Sequence, residues 1–143
     1  MIIYREKDYN AMSRRAASVI AGEVVHNPAC LLGLATGSTP EGAYKYLVDW
    51  YKQGLISFKD VLSVNLDEYV GLAPDHDQSY RYFMQSNLFD HVDINPDNTR
   101  VPDGLTADPK AFCDGYDAYI RSMGYADLQL LGIGRNGHIG FNE

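Results

Sequence analysis

Apolar residues recur along the chain at two spacings, and the two spacings alternate. Spacing of three to four residues predicts amphipathic helices, and it is found in stretches whose apolar residues are Met12, Ala16, Val19, Ile20 and Val24; Ala43, Tyr44, Leu47, Val48 and Tyr51; Tyr80, Phe83, Met84 and Leu88; and Phe112, Tyr116, Tyr119, Ile120 and Met123. Short continuous apolar runs predict strands buried on both faces, at residues 30–35, 61–66 and 128–131, with a further short strand near 99–101. This alternation indicates one α/β domain over residues 1–143, a Rossmann-like parallel sheet with helices on both faces.

Turn and cap residues mark where the predicted helices begin and end. Asp8 is placed to cap the first helix, and Thr39 is placed to cap the second with Pro40 at its first position. Gly54 and Gly124 follow the second and fourth helices, where a left-handed residue commonly ends a helix.

Polar or glycine-rich loops follow the three principal strands, at residues 36–39, 67–69 and 132–143. The carboxyl ends of parallel strands lie at one edge of the sheet, and ligands of such sheets bind beyond that edge. We therefore expect the three loops to converge on one site.

Composition narrows the classes of partner. The chain of 143 residues is 45% hydrophobic with a net charge of −7 and no basic run, which argues against nucleic acid or an anionic membrane surface. No apolar run approaches the roughly 20 residues of a membrane span, and charges at residues 5–8 interrupt any secretory signal. A cytoplasmic protein is expected.

Cys30 and Cys113 are far apart, which favours two buried free thiols over a disulfide or a zinc site.

The first loop contains Thr36, Gly37, Ser38 and Thr39 between a strand and a helix. Backbone N–H groups at a helix N-terminus together with hydroxyls predict a seat for phosphate. Since the loop lacks the lysine of a Walker A motif, a nucleoside triphosphate is not expected. The alternative is an ordinary strand-to-helix turn.

The second loop begins with Asp67 and Glu68, directly after a buried strand. A carboxylate partly withdrawn from water has a raised pKa and can act as a base on a carbon acid. The alternative is a solvated acidic pair that caps the next turn.

The third loop spells GxGxxG over residues 132–137 and then presents His138. The dinucleotide fingerprint must open a helix, and the residues that follow here are poor helix formers, so nicotinamide or flavin binding is not expected. With Asn136 and Glu143 beside it, His138 predicts proton-transfer chemistry, although a single histidine is commonly structural.

Taken together, these segments resemble the glucosamine-6-phosphate deaminase (isomerase) family. The resemblance runs along nearly the whole chain, and the segments that carry it are LATGSTP at 34–40, VNLDEYVGL at 64–72, Ser79-Tyr80 with Phe83-Met84, and LGIGRNGHIGFNE at 131–143.

The resemblance implies an activity and a set of site residues. The family converts glucosamine 6-phosphate and water into fructose 6-phosphate and ammonia without an organic cofactor or catalytic metal. By motif, Asp67 resembles the base that moves a proton between C2 and C1. His138 resembles the group that opens the sugar ring, assisted by Asn136 and Glu143. The implied substrate-binding residues are Thr36, Gly37, Ser38, Thr39, Glu68 and Gly137.

Two departures and two alternatives accompany this interpretation. Some members of the family have Asp at the position of Asn136, and an amide can orient His138 but cannot act as a base. The family's chain continues beyond residue 143 with further strands, a lid and basic residues, so we expect an N-terminal portion with weak turnover alone and possible homo-oligomerisation.

The alternatives are a 6-phosphogluconolactonase-like hydrolase, which would not need Asp67, and a non-enzymatic sugar-phosphate sensor.

Overall fold

Helices and strands alternate along residues 1–142, the residues that the computed structural model describes. The elements in chain order are α1 (Tyr9–His26), β1 (Leu31–Leu34), α2 (Glu41–Lys52), β2 (Leu62–Asn65), α3 (Tyr80–Asn87), β3 (Thr99–Arg100), α4 (Pro109–Ser122) and β4 (Leu128–Gln129), with short 3-10 helices at Phe89–His91 and Pro96–Asn98. Each helix and strand that the hydrophobic pattern predicts is therefore present, in the predicted order.

The four strands form one parallel sheet in the order β3-β2-β1-β4. Leu31 pairs with Leu62 on one side of β1, and Leu32 pairs with Leu128 on the other side. Successive strands are added in one direction from β1 to β3, and the order then reverses to place β4 on the far side of β1. Such a reversal opens a crevice at the carboxyl ends of the two strands that flank it.

Helices lie on both faces of the sheet, as predicted. Leu32 and Leu34 of β1 pack into the main core with residues of α1, α2 and α3, including Tyr44 and Met84. The connection from β3 to β4 crosses the sheet in the opposite direction to the connection from β1 to β2. Because crossovers between parallel strands are right-handed, α4 lies on the face opposite to α2. No residue of α4 is buried, and its Tyr116 hydroxyl lies 2.9 Å from the Asn65 carbonyl oxygen. The apolar core is therefore one-sided in this part of the chain.

The buried face of α1 differs from the predicted one. Ile20 and Val24 are buried as expected, but Val19 is 48% exposed, and the small residues Ser13 and Ala17 are buried instead. The cause is close packing on α2, since a Cβ added at Gly42 would lie 2.3 Å from Ser13 Oγ. Small side chains fit where two helices approach so closely.

The helix caps are confirmed in part. Asp8 caps α1, with its carboxylate accepting a hydrogen bond from the Ala11 N–H at 2.7 Å. The prediction for Thr39 is wrong, because the cap of α2 is Pro40, which makes no side-chain cap bond.

The two cysteines differ in exposure. Cys30 is buried, but Cys113 is exposed on α4, so the prediction of two buried thiols is wrong for Cys113. Among residues 1–142, no helix combines the length and the hydropathy needed to cross a bilayer.

Candidate functional site

A cavity of about 510 Å³ lies at the reversal of the strand order, within the size range of small-molecule sites. The loops that follow β1, β2 and β4 all contribute to its wall. Four of the predicted site residues line it, namely Thr36, Thr39, Asp67 and His138. The structure thus brings the proposed anion seat, the carboxylate and the imidazole to one cavity.

The other predicted site residues lie beside the cavity or outside the described part of the chain. Gly37, Ser38, Asn136 and Gly137 belong to the same loops but do not form the cavity wall. The prediction for Glu143 lies outside the described residues.

The Glu68 side chain is directed to the N-terminus of α3. Its carboxylate accepts hydrogen bonds from the backbone N–H groups of Tyr69, Tyr80 and Arg81, each at 2.9 Å. Ser79 caps the same helix end, with its hydroxyl accepting from the Tyr82 N–H at 3.0 Å. Glu68 therefore stabilises the helix start that carries Tyr80.

The loop after β1 presents unused backbone donors. In the part of the chain that the structure describes, the N–H groups of Gly37, Ser38 and Thr39 have no acceptor. The entry to the loop is held by Tyr44, whose buried hydroxyl donates to the Ala35 carbonyl at 2.5 Å. Consecutive unpaired N–H groups ahead of a helix are suited to an anion.

Asp67 combines partial burial with a neighbouring negative charge. Burial raises the pKa of its carboxyl group, the Glu68 carboxylate raises it further, and a hydrogen bond from the Phe141 backbone N–H lowers it. The net direction is upward, which confirms the raised pKa expected of a carboxylate at this strand end. A raised pKa strengthens a carboxylate as a proton acceptor.

Removal of this charge is expected to stabilise the fold at neutral pH. Because the pKa is raised on folding, ionisation of Asp67 opposes folding, and the cost develops as the pH rises from the ordinary value of 3.8 through the folded-state pKa. Asp67→Asn should therefore raise Tm at about pH 7 and not at about pH 3. Thermal melts at both pH values check this. Asp75→Asn, at an exposed position, is the control, and an equal gain at both pH values would contradict the explanation.

His138 is oriented by Asn136. One side-chain atom of Asn136 accepts from the His138 backbone N–H at 3.2 Å and is also hydrogen-bonded to Nδ1 of the ring. An atom that accepts from an N–H is the amide oxygen, so Nδ1 of the neutral ring carries the hydrogen. The ring lies against Gly134, where an added Cβ would be 2.2 Å from Cε1.

An aromatic cluster connects the loops around the cavity. The rings of Tyr69, Tyr80 and Phe141 lie with their centroids 4.9 to 5.5 Å apart. Tyr80 and Phe141 also line the cavity. Burial raises the pKa of the Tyr80 phenol, which interacts with the Thr36 side chain and the Tyr69 hydroxyl. Tyr80 is therefore a neutral hydrogen-bonding group between the first two loops.

Sequence reasoning gave neither Tyr80 nor Phe141 a role at the site. Both lie in the segments that carry the family resemblance, and this resemblance was the only sequence signal that pointed to them. Their contacts join positions far apart in the chain, which spacing alone does not reveal.

A metal site and a dinucleotide site each require a specific arrangement of residues. Within residues 1–142, no group of three or more His, Cys, Asp or Glu side chains is arranged to hold a metal ion. The GxGxxG segment continues into turns rather than a helix up to residue 142, so it does not supply the helix N-terminus that binds a pyrophosphate.

Curated relatives match the chain over its whole length. It is 56% identical over 143 residues to the glucosamine-6-phosphate deaminase of Lachnoclostridium phytofermentans, covering 100% of this chain and 61% of that protein. It is 53% identical over 137 residues to the glucosamine-6-phosphate deaminase of Clostridioides difficile, covering 96% of this chain and 55% of that protein. The chain thus spans less than two thirds of the length of these relatives.

Two solved structures share the fold of this chain. A monomeric glucosamine-6-phosphate deaminase superposes with a TM-score of 0.97 at 43% identity, over 100% of this chain and 59% of that one. The 6-phosphogluconolactonase of Thermotoga maritima superposes with a TM-score of 0.78 at 22% identity, over 99% of this chain and 63% of that one, and this shows a shared fold alone. Residues 5–140 match the family described as glucosamine-6-phosphate isomerases/6-phosphogluconolactonase. The chain belongs to that family.

Proposed function

We propose that the protein containing this chain is a glucosamine-6-phosphate deaminase, which converts D-glucosamine 6-phosphate and water into D-fructose 6-phosphate and ammonia. The observation that carries this proposal is that Asp67 and His138 line one cavity together with Thr36 and Thr39. A sugar phosphate needs an anion seat at one end and acid–base groups at the other, and the cavity wall supplies both.

The first step is opening of the sugar ring. A proton leaves the anomeric hydroxyl and another is delivered to the ring oxygen, which gives the open-chain aldehyde. We assign this exchange to His138, because a neutral imidazole can accept and return a proton near pH 7. With the hydrogen on Nδ1, where the Asn136 side chain would accept it, Nε2 would be the atom that exchanges protons with the sugar.

The second step moves a proton from C2 to C1. Asp67 takes the C2 proton, and the C–H electron pair forms the double bond between C1 and C2. The π pair of the C1 carbonyl moves to its oxygen, which takes a proton from solvent to give the enol. Return of the proton to C1 gives the imine of the ketose, and water then adds to the C2 carbon and releases ammonia. The raised pKa of Asp67 supports its role as the base. Phosphate held at residues 36–39 keeps C1 and C2 in one position for both steps.

We further propose that these acid–base groups act without a metal or organic cofactor and that the protein is a cytoplasmic hydrolase. Residues 1–143 would form the N-terminal part of a single α/β domain. Asn136 and Glu143 would assist His138, and Gly37, Ser38, Gly137 and Glu68 would contact or support the substrate.

The test is incubation of the complete gene product in heavy water with glucosamine 6-phosphate and, separately, with 6-phosphogluconolactone. Ammonia release, fructose 6-phosphate formation and deuterium incorporation at C2 of the recovered substrate are expected. Hydrolysis of 6-phosphogluconolactone without carbon-bound deuterium would instead identify a lactonase. Calorimetric binding of the sugar phosphate without any product by mass spectrometry would identify a sensor.

A further inference from the structure

Tyr9, the first residue of α1, extends to the loop that precedes α2. Its hydroxyl lies 2.9 Å from the Ser38 carbonyl oxygen and 3.1 Å from the Thr39 carbonyl oxygen. The same hydroxyl accepts a hydrogen bond from the Gly42 N–H at 2.9 Å. One phenol therefore contacts three backbone groups of the loop and the first turn of α2.

These contacts replace a cap that α2 lacks. Pro40, at the cap position, makes no side-chain hydrogen bond, so Tyr9 satisfies a first-turn N–H from a different helix. The close approach depends on Gly42, since a Cβ there would lie 3.0 Å from Tyr9 Cε1. The packing of α1 on α2 thus positions the phenol.

The contacts also set the direction of the loop's donors. In a trans peptide the C=O and the next N–H point in opposite directions. With the Ser38 carbonyl held toward Tyr9, the Thr39 N–H points away from α1, and Thr39 lines the cavity. Tyr9 also keeps two carbonyl oxygens, which would repel an anion, turned toward itself.

We propose that Tyr9 is a positioning residue for anion binding, which fixes the orientation of the 36–39 backbone without touching the anion. This inference rests on the proposed function, because it takes the 36–39 loop as the seat of the substrate phosphate. It assigns a role in substrate affinity to a tyrosine on α1, outside the three loops of the cavity.

The test compares Tyr9→Phe with Tyr46→Phe in the complete gene product. Tyr46 is a matched control, because its hydroxyl also joins α2 to α1, donating to Asn10 Oδ1 at 2.9 Å, but makes no hydrogen bond to residues 36–39. For Tyr9→Phe, KM for glucosamine 6-phosphate and the inhibition constant of inorganic phosphate should both rise about three- to tenfold, the effect of losing one neutral hydrogen bond. The value of kcat should stay within about twofold, and Tyr46→Phe should change none of the three constants.

The outcomes separate this inference from the proposed function. An active wild type whose Tyr9→Phe variant keeps both constants, or loses kcat alone, would overturn the role of Tyr9. Equal effects of Tyr9→Phe and Tyr46→Phe would show general loosening of the helix pair and would also overturn it. A wild type that neither releases ammonia nor binds inorganic phosphate would refute the proposed function itself.

Discussion

Asp67→Asn is expected to lower kcat for glucosamine 6-phosphate by about 10²–10⁴-fold in the complete gene product, the usual contribution of a general base. An amide of the same shape cannot accept the C2 proton. Because the residue is assigned to the proton transfer and not to phosphate binding, KM should change much less than kcat. Initial rates of ammonia release measure the loss, and deuterium incorporation at C2 should fall with it.

A loss of activity in this variant would not be caused by unfolding, since Asp67→Asn is expected to be at least as stable as the wild type at neutral pH. Asp75→Asn, on the exposed segment that precedes α3, provides the matched carboxylate-to-amide control and should retain full activity. Turnover by Asp67→Asn at the wild-type rate would show that another group is the base.

Gly104→Ala is expected to lower the free energy of unfolding by about 1–3 kcal/mol, the range found for overpacking. A Cβ at this position would lie 2.4 Å from the Tyr69 carbonyl oxygen and 2.7 Å from the Leu72 carbonyl oxygen. Both neighbours are backbone atoms that cannot rotate away, and the Gly71 N–H donates to the Gly104 carbonyl at 2.7 Å. The segment that follows Asp67 must therefore shift to accommodate a methyl group.

Urea denaturation of the complete gene product measures this loss, and Gly115→Ala provides the control. Gly115 lies inside α4, where an added Cβ meets nothing within 4 Å, and alanine favours a helix over glycine by about 0.5–1 kcal/mol. Gly115→Ala should thus leave stability unchanged or raise it. Equal unfolding free energies for the two variants would show that the segment at 69–72 yields to the added methyl group.

The fold could be predicted from the sequence because residues that become buried recur at the spacing of their helix or strand. The all-apolar run of β1 is buried at each of its four positions, and the stripe of α2 contributes Ala43, Tyr44, Leu47 and Val48 to the core. Given a parallel sheet, the three loops at the strand ends had to meet, so the positions of Asp67 and His138 on one cavity wall followed from topology.

Contacts between distant segments could not be predicted in the same way. Tyr9 and Gly42 meet only because α1 packs closely on α2, and that packing also replaces Val19 by Ala17 on the buried face. Glu68 follows Asp67 directly in sequence, but the N–H groups at the start of α3 hold its carboxylate. These contacts depend on where separate elements lie after folding. The periodicity of a single helix or strand carries no information about that placement.

The reversal of strand order between β1 and β4 has a consequence for how this fold can change its chemistry. β1 leads into the loop whose donors would hold the phosphate, and β4 leads into the loop with the imidazole, so the two groups come from separate segments of the chain. The family description names both glucosamine-6-phosphate isomerases and 6-phosphogluconolactonase. A substitution of His138 would therefore change the acid–base group without changing the residues that would hold the phosphate.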